Sequence, residues 1–387
     1  MEISRRGFLK LCSKLAAVGA ATALSAGLPG CTHILKRKRP SFILVVIDCW
    51  RYDCFKPEVT PNICQLANRG IAYARYFANS GWTLSSVFAM LSGIAPKYTH
   101  RHPDVGYKRF HEDPKKPAMI DIGDMHLEKL PKKLKTIPAI LKDAGYCTIH
   151  ITQNPLTGRA VGYGGKQWVS LLEYPSTELR IGASQLIAKA VSELDGMSRG
   201  SDAFIYIHLM DAHYPYNHSN LSPESVELQR RYEETCKDRY GGVEFCAEVV
   251  DEVKDRYLDA LGFVDSQLAT LFDYVDGQLD EFVLMITADH GELFGEWGSI
   301  MHPGIMPSQI LHVPMVVYDN KGRFTPKRDV RIRESIDIPA TVAEMAGCCG
   351  IDGEGTSLFS RSNKDVVRAA TSVEDAWITV RGEDLLL

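Results

Sequence analysis

Asp48, in the stretch Ile47-Asp48-Cys49-Trp50-Arg51-Tyr52-Asp53, follows directly on an apolar run and could reach a hard cation as an oxygen donor. Thr83, in Trp82-Thr83-Leu84-Ser85-Ser86-Val87-Phe88, stands where a helical pattern begins. A hydroxyl there feels the positive end of the helix dipole, and a neighbouring cation would lower its pKa further. Two more polar stretches follow apolar runs: His208-Leu209-Met210-Asp211-Ala212-His213-Tyr214-Pro215-Tyr216 and Thr287-Ala288-Asp289-His290-Gly291-Glu292. Neighbours in a strand point to opposite faces, so Asp289 and His290 can share a cation only if the strand has ended before them, and Gly291 fits such a break. Taken singly, each has a plainer explanation. A carboxylate after a strand is more often a turn or cap residue, a threonine before a helix an N-cap, a histidine a structural group. It is the set, in order along one α/β chain, that changes those odds.

Such a site needs a frame that gathers strand ends. Ser41–Ile47 (SFILVVI) is continuously apolar and β-branched, as a central strand of a parallel sheet must be. Runs of the same kind occur at 146–152, 203–208, 281–288 and 313–318, separated by helical patterns at 86–91, 137–144, 178–194, 253–275 and 338–346. This alternation predicts an α/β fold with a mostly parallel sheet wrapped by helices. Open sheets of that class bind ligands beyond the carboxyl ends of their strands, where the polar stretches fall. Residues 94–135, charged and rich in Pro and His, and the polar insertion 217–242 read as surface excursions of the kind that border active sites.

The same stretches carry a family likeness. FILVVIDCWRYD, Thr60-Pro61-Asn62 with Leu66-Ala67 and Gly70, WTLSSVFAMLSG, HLMDAHYPY, ITADHGE, Met301-His302-Pro303 with Leu311-His312-Val313-Pro314, and Ile336-Asp337-Ile338-Pro339-Ala340-Thr341 with Ala346-Gly347 occur in order. Together they resemble the alkaline phosphatase/sulfatase superfamily across nearly the whole chain after the leader. The resemblance implies a three-layer α/β/α sandwich. It also implies a divalent metal (Ca, Mg, Mn or Zn) held by Asp48, Thr83, Asp289 and His290, with Thr83 as nucleophile as well as ligand. His213 and His302 would hold the substrate's non-bridging oxygens or protonate the leaving group, with Arg51 and Trp82 behind them. Three departures qualify it. Thr83-Leu84-Ser85-Ser86-Val87 lacks the C/S-x-P-x-R pattern that sulfatases convert to an aldehyde, so that chemistry is expected to be absent. Cys49 stands where many sulfatases place a second metal Asp. The segment Ala376-Trp377-Ile378-Thr379-Val380-Arg381-Gly382 resembles the opening of a C-terminal subdomain, yet the sequence ends at Leu387.

The first thirty residues read as an export signal. Ser4-Arg5-Arg6-Gly7-Phe8-Leu9-Lys10 matches the twin-arginine pattern, so the export machinery is an expected partner, and a weakly apolar stretch follows. Leu28-Pro29-Gly30-Cys31 resembles a lipoprotein cleavage site, which would lipidate Cys31 and tie the protein to a membrane; a plain signal anchor is the alternative. The expected organisation is a signal at 1–30, a basic tether at 31–40, a catalytic domain at 41–350 and a short C-terminal subdomain at 351–387. Removing the signal leaves 40 basic and 47 acidic residues (44 − 4 and 48 − 1), a net charge near −7 that does not suggest a nucleic-acid partner. Of ten cysteines none has zinc-finger spacing, and Cys236 with Cys246 is the best candidate disulfide.

The expected function is an exported, metal-dependent hydrolase of phosphate or sulfate esters acting through a covalent Thr83 intermediate. Its substrate would be a small-molecule, glycan or lipid-headgroup ester. The alternatives are a cell-envelope phosphoethanolamine or phosphoglycerol transferase and a non-catalytic binding member. The transferases of that branch usually carry several membrane spans that this sequence lacks, which favours the free-standing hydrolase.

Overall fold

The computed structural model describes residues 39–96, 134–159, 163–164, 168, 170–173, 182–198, 200–216, 227–228, 230–232, 247–302 and 306–369. In chain order the strands are β1 (Ser41–Ile47), β2 (Ile71–Tyr73), β3 (Tyr76–Phe77), β4 (Cys147–Thr152), β5 (Ser170–Glu173), β6 (Ala203–Leu209), β7 (Phe282–Thr287), β8 (Leu293–Phe294), β9 (Ile300–Met301), β10 (Met315–Asp319), β11 (Lys327–Asp329) and β12 (Arg333–Glu334). The helices are α1 (Pro61–Arg69), α2 (Thr83–Ser92), α3 (Ile137–Asp143), α4 (Ala183–Asp195), α5 (Ala247–Gln278), α6 (Ser308–Leu311) and α7 (Asp337–Ala346).

Eight strands form the main sheet in the order β11-β2-β10-β7-β1-β6-β4-β5. The inner strands β7, β1, β6 and β4 run parallel, with Val46 opposite both His208 and Thr287 and Thr152 opposite His208. Their carboxyl ends therefore lie side by side. All seven residues of β1 and of β6 are buried, which is why these strands read as unbroken apolar runs. This is the alkaline-phosphatase-like α/β architecture, with a mostly parallel central sheet and helices against it. The run at 313–318 departs from expectation. It forms β10, antiparallel to both β7 and β2. A continuous apolar run reports burial on both faces but carries no information on direction.

The long helix α5 organises one side of the sheet. Its Asp265 accepts hydrogen bonds from the first-turn amides of α1, Asn62 N (3.0 Å) and Ile63 N (2.8 Å), and thereby fixes that helix start. Its Tyr257 hydroxyl donates to Cys49 O (2.8 Å) and accepts from Arg51 N (2.9 Å), pinning the turn after β1. Arg39 pairs with Asp202 and lies over Tyr146, so the last residue of the basic run is docked on the body. The chain from 351 to 369 is stitched down as well. The buried Arg333 donates to Leu358 O (3.0 Å), and Lys364 bonds both Glu334 and Asp337 (2.6 Å each). The signal at 1–30, the Cys236–Cys246 pair and residues 370–387 lie outside the described residues. The described cysteines 49, 54, 64, 147, 348 and 349 are free thiols. No helix among the described residues is long and apolar enough to cross a membrane.

Candidate metal and nucleophile site

The parallel strand ends bring the sequence-derived residues together. Asp48 is the first residue beyond β1, and Asp289 and His290 follow the end of β7 at Thr287, so the strand has stopped before them. Thr83 is the first residue of α2, preceded by the extended Trp82. The cap position thus belongs to Trp82 and the Thr83 side chain is left over for the cleft. Helix α2 ends at Gly93, whose left-handed backbone (φ 74°) lets its amide close on Ala89 O (2.8 Å). Ser86, one turn along α2, donates to Asp289 O and ties the helix start to the β7 loop. Asp48, Thr83, Asp289 and His290 are all buried.

Each donor atom is aimed by its neighbours. Asp48 Oδ2 accepts from His208 Nε2 and from Asn154 Nδ2, both at 2.9 Å, while Oδ1 accepts only the Cys49 thiol (3.2 Å). Asp289 Oδ1 accepts the amides of His290 (2.9 Å) and Cys49 (3.3 Å), and its buried Oδ2 has no hydrogen-bond partner. His290 Nδ1 donates to Gly291 O (2.9 Å), which leaves the Nε2 lone pair to face the Thr83 hydroxyl at 3.3 Å. Burial acts to raise the Asp48 carboxyl, but the charge of His213, the bond and charge of His208, and His290 together hold it well below the usual carboxylate range. Burial likewise opposes His208 protonation, and its bond to Asp48 outweighs that and raises its pKa.

These residues fit a divalent cation. His290 Nε2 lies 3.3 Å from Thr83 Oγ1, 3.6 Å from Asp289 Oδ2 and 4.0 Å from Asp48 Oδ1. Ligands bonded to one metal at about 2.1 Å in tetrahedral geometry are about 3.4 Å apart. The partnerless Asp289 Oδ2 supplies the second argument, because a buried carboxylate oxygen without a donor is costly unless a cation satisfies it.

His213 and His302 reach the same cleft. Their rings are 5.5 Å apart, and the His302 ring is 4.5 Å from that of His290. His302 Nδ1 is held by Glu292 (3.1 Å), whose other oxygen accepts from Tyr216 (2.9 Å). Burial works against the charge on each, yet Glu292 holds the His302 pKa up and His302 holds the Glu292 pKa down. Arg51 is not in the cleft lining. Its guanidinium bonds Asp53 (2.6 Å), Glu296 (2.7 Å) and Glu292 O (3.2 Å), clamping the loops after β1 and β7.

Sequence reasoning gave no role to Asn154, His208 or Glu292. His208 and Glu292 sat inside quoted motifs, five residues before His213 and two after His290. Asn154 could have been found by extending the strand-end rule to the run at 146–152, since it lies two residues beyond β4.

A mostly parallel α/β sheet with a buried Asp/Thr/Asp/His cluster at its strand ends is the architecture of the alkaline phosphatase/sulfatase superfamily. The chain belongs to the sulfatase family, whose model matches residues 40–348. That family is typically metal-dependent, and the described residues include groups able to hold an ion. No curated protein sequence matches the chain. Among solved structures it is similar to the phosphonate monoester hydrolase of Agrobacterium radiobacter (16% identity, 85% of this chain and 79% of that one, TM-score 0.62). It is also similar to the C-terminal periplasmic domain of EcEptC from Escherichia coli, solved with zinc (14%, 90% and 94%, 0.61). A third is the C-terminal periplasmic domain of the phosphoethanolamine transferase EptC from Campylobacter jejuni (15%, 81% and 90%, 0.55). At these identities the likeness establishes the fold.

Proposed function

We propose that this chain is an exported, metal-dependent hydrolase of phosphate or sulfate esters in which Thr83 Oγ1 is the nucleophile. The observation that carries the reading is the Thr83 hydroxyl at 3.3 Å from His290 Nε2, in a cleft where Asp48 Oδ1 and the partnerless Asp289 Oδ2 converge. Asp48, Thr83, Asp289 and His290 would hold a divalent cation, which when bound polarises the ester oxygen and acidifies the Thr83 hydroxyl. Calcium, magnesium, manganese and zinc all suit three oxygens and one imidazole, and zinc is the ion solved with the Escherichia coli domain.

The chain's own residues then divide the work. With a cation in place the Thr83 hydroxyl would release its proton to solvent, and Oγ1 bonds to the phosphorus or sulfur as the bond to the leaving oxygen breaks. The leaving oxygen takes its proton from His213 or His302, and Glu292 favours the protonated His302. Water then attacks the threonyl ester, giving a proton to the histidine that had protonated the leaving oxygen, and as the bond from Thr83 Oγ1 breaks the threonine oxygen takes up a proton from solvent. An anionic group on Thr83 would stand at the positive end of the α2 dipole, which favours it. Export follows from the twin-arginine pattern at Ser4–Lys10, with Cys31 as the residue that would carry lipid.

A second reading is a cell-envelope transferase that passes the group to an acceptor alcohol. A threonine nucleophile outside the C/S-x-P-x-R pattern favours it, because such branches transfer phosphoryl groups as well as hydrolyse them. The test is turnover of an aryl phosphate, an aryl phosphodiester and an aryl sulfate with each divalent metal, with and without added alcohol acceptor. Metal-dependent hydrolysis without acceptor supports the hydrolase, and acceptor-dependent release supports the transferase. Metal binding without turnover of any ester under either condition would leave a binding protein.

A further inference from the structure

We infer that Asn79 is a positioning residue for Thr83, fixing the loop before α2 to the chain at 334–336 and 368. The inference rests on the Thr83 reading proposed above. Strand β3 ends at Phe77 and α2 opens at Thr83, so the residues between them decide where the nucleophile stands. Among the described residues, the main chain of 79–82 makes one hydrogen bond, Ser86 N donating to Trp82 O (3.0 Å). Ser80 Oγ is buried without a partner, and Gly81 has no side chain. Asn79 by contrast is fully buried and bonded at both ends of its amide. Its Oδ1 accepts from Ile336 N (3.0 Å), while Nδ2 donates to Glu334 Oε1 (3.0 Å) and to Arg368 O (2.6 Å). One N–H, one carboxylate and one carbonyl are matched by an amide, and an ionised aspartate, which only accepts, could not take its place.

The far end of α2 is held by the same stretch of chain. Gly93 O, just past the helix, accepts from Glu354 N (2.7 Å) and Gly355 N (3.3 Å). The approach is so close that a Cβ on Gly353 would lie 2.7 Å from Gly93 O. Arg368 and Glu354 form an ion pair, which joins the contact at Gly93 to the contact at Asn79. Buried Glu334 secures the second contact, since its Oε1 also accepts from Arg368 N (2.7 Å) and its Oε2 from Lys364 Nζ (2.6 Å). Val367 and Ala369 are buried on either side of Arg368, which holds its carbonyl in place as an acceptor. Helix α2, ten residues and about 15 Å long, is thus clamped at both ends by 353–368. Attack by Thr83 Oγ1 needs alignment with the breaking bond, and a misplacement of about 1 Å costs about 10²-fold in rate. With the loop anchored through Asn79, loss of that side chain puts slack at Thr83.

The test compares Asn79→Ala and Arg368→Met with the wild type in two ways. One is the kinetics of whichever aryl ester the wild type cleaves, at saturating metal, and the other is hydrogen exchange of the metal-free full-length protein. Asn79→Ala is expected to lower kcat about 10–100-fold with KM changed by no more than about threefold. Amide exchange should quicken across 80–86 and stay at the wild-type rate in β1 and β6. Arg368→Met, which removes an exposed guanidinium, should act in the same direction more weakly. The double variant should lose less than the product of the two effects, because both act through one segment. Wild-type kcat and wild-type exchange at 80–86 in a folded Asn79→Ala would overturn the inference. So would exchange that rises evenly through the chain, which marks lost stability rather than slack at α2. If Asn79→Ala does not fold, Arg368→Met decides, and unchanged exchange at 80–86 in that variant overturns the inference. A wild type that cleaves no ester removes the Thr83 reading, and the exchange result then decides the clamp by itself. Turnover through Thr83 that both variants retain at the wild-type rate removes the inference and leaves that reading in place.

Discussion

At the scale of single residues, the cleft is a set of donor atoms aimed by buried hydrogen-bond partners. Asn154 and His208 both bond Asp48 Oδ2, so they fix which oxygen is presented. Removing such supports commonly lowers metal affinity about 10–100-fold. Asn154→Ala and His208→Ala are therefore each expected to weaken zinc binding by about that factor in calorimetric titration, with circular dichroism unchanged. Affinity equal to wild type in both would show that Asp48 needs no such alignment. The grouping of these residues in one cleft was legible because Asp48 follows directly on β1, Asp289 and His290 lie two and three residues beyond β7, and Thr83 opens a helix. Asn154 was not, because an asparagine after a strand is common turn chemistry and its bond to Asp48 spans 106 positions of chain.

At the scale of elements, two loops depend on close approach. A Cβ on Gly291 would lie 1.9 Å from Gln309 O, so Gly291→Ala must push the loop carrying Asp289 and His290 away from α6. A loss of about 1–3 kcal/mol in denaturant unfolding is expected, together with weaker metal binding. An unchanged midpoint would mean that the loop is more pliant than this packing implies. His312, between α6 and β10, stacks on Tyr52 with ring centres 3.9 Å apart and bonds Ala74 O (3.0 Å). Burial pushes its pKa down from 6.5 to about 4. The folded state thus favours the neutral ring. That stabilisation is complete above pH 6.5 and is lost as the pH falls toward about 4, by up to about 1.4 kcal/mol per pH unit. The wild type should lose stability over this window, and His312→Asn should flatten that part of the profile. A parallel slope in the variant would place the titration elsewhere. The core strands were legible because burial on both faces yields unbroken apolar runs. The direction of β10 and the two- and three-residue strands β2, β3, β11 and β12 were not, since register and direction are set by partners distant in sequence.

At the scale of the whole molecule, the proposed cation would link helix α2 to the strand ends. Anything that binds only the folded state stabilises it by mass action, about 2.7 kcal/mol at a free concentration of 100 times Kd. Chelation is expected to lower Tm by roughly 5 °C, reversed by adding metal back. No change on chelation would remove the metal from the folded-state account. The most direct test of the central claim is acid quenching of the metal-loaded protein during turnover of an activated aryl phosphate or sulfate, followed by mass analysis of the peptide containing Thr83. A phosphoryl or sulfuryl group on Thr83, absent from Thr83→Ala whose turnover falls on the order of 10³-fold or more, is the expected result. Turnover by Thr83→Ala at the parent rate, or a modification on another residue, would contradict it.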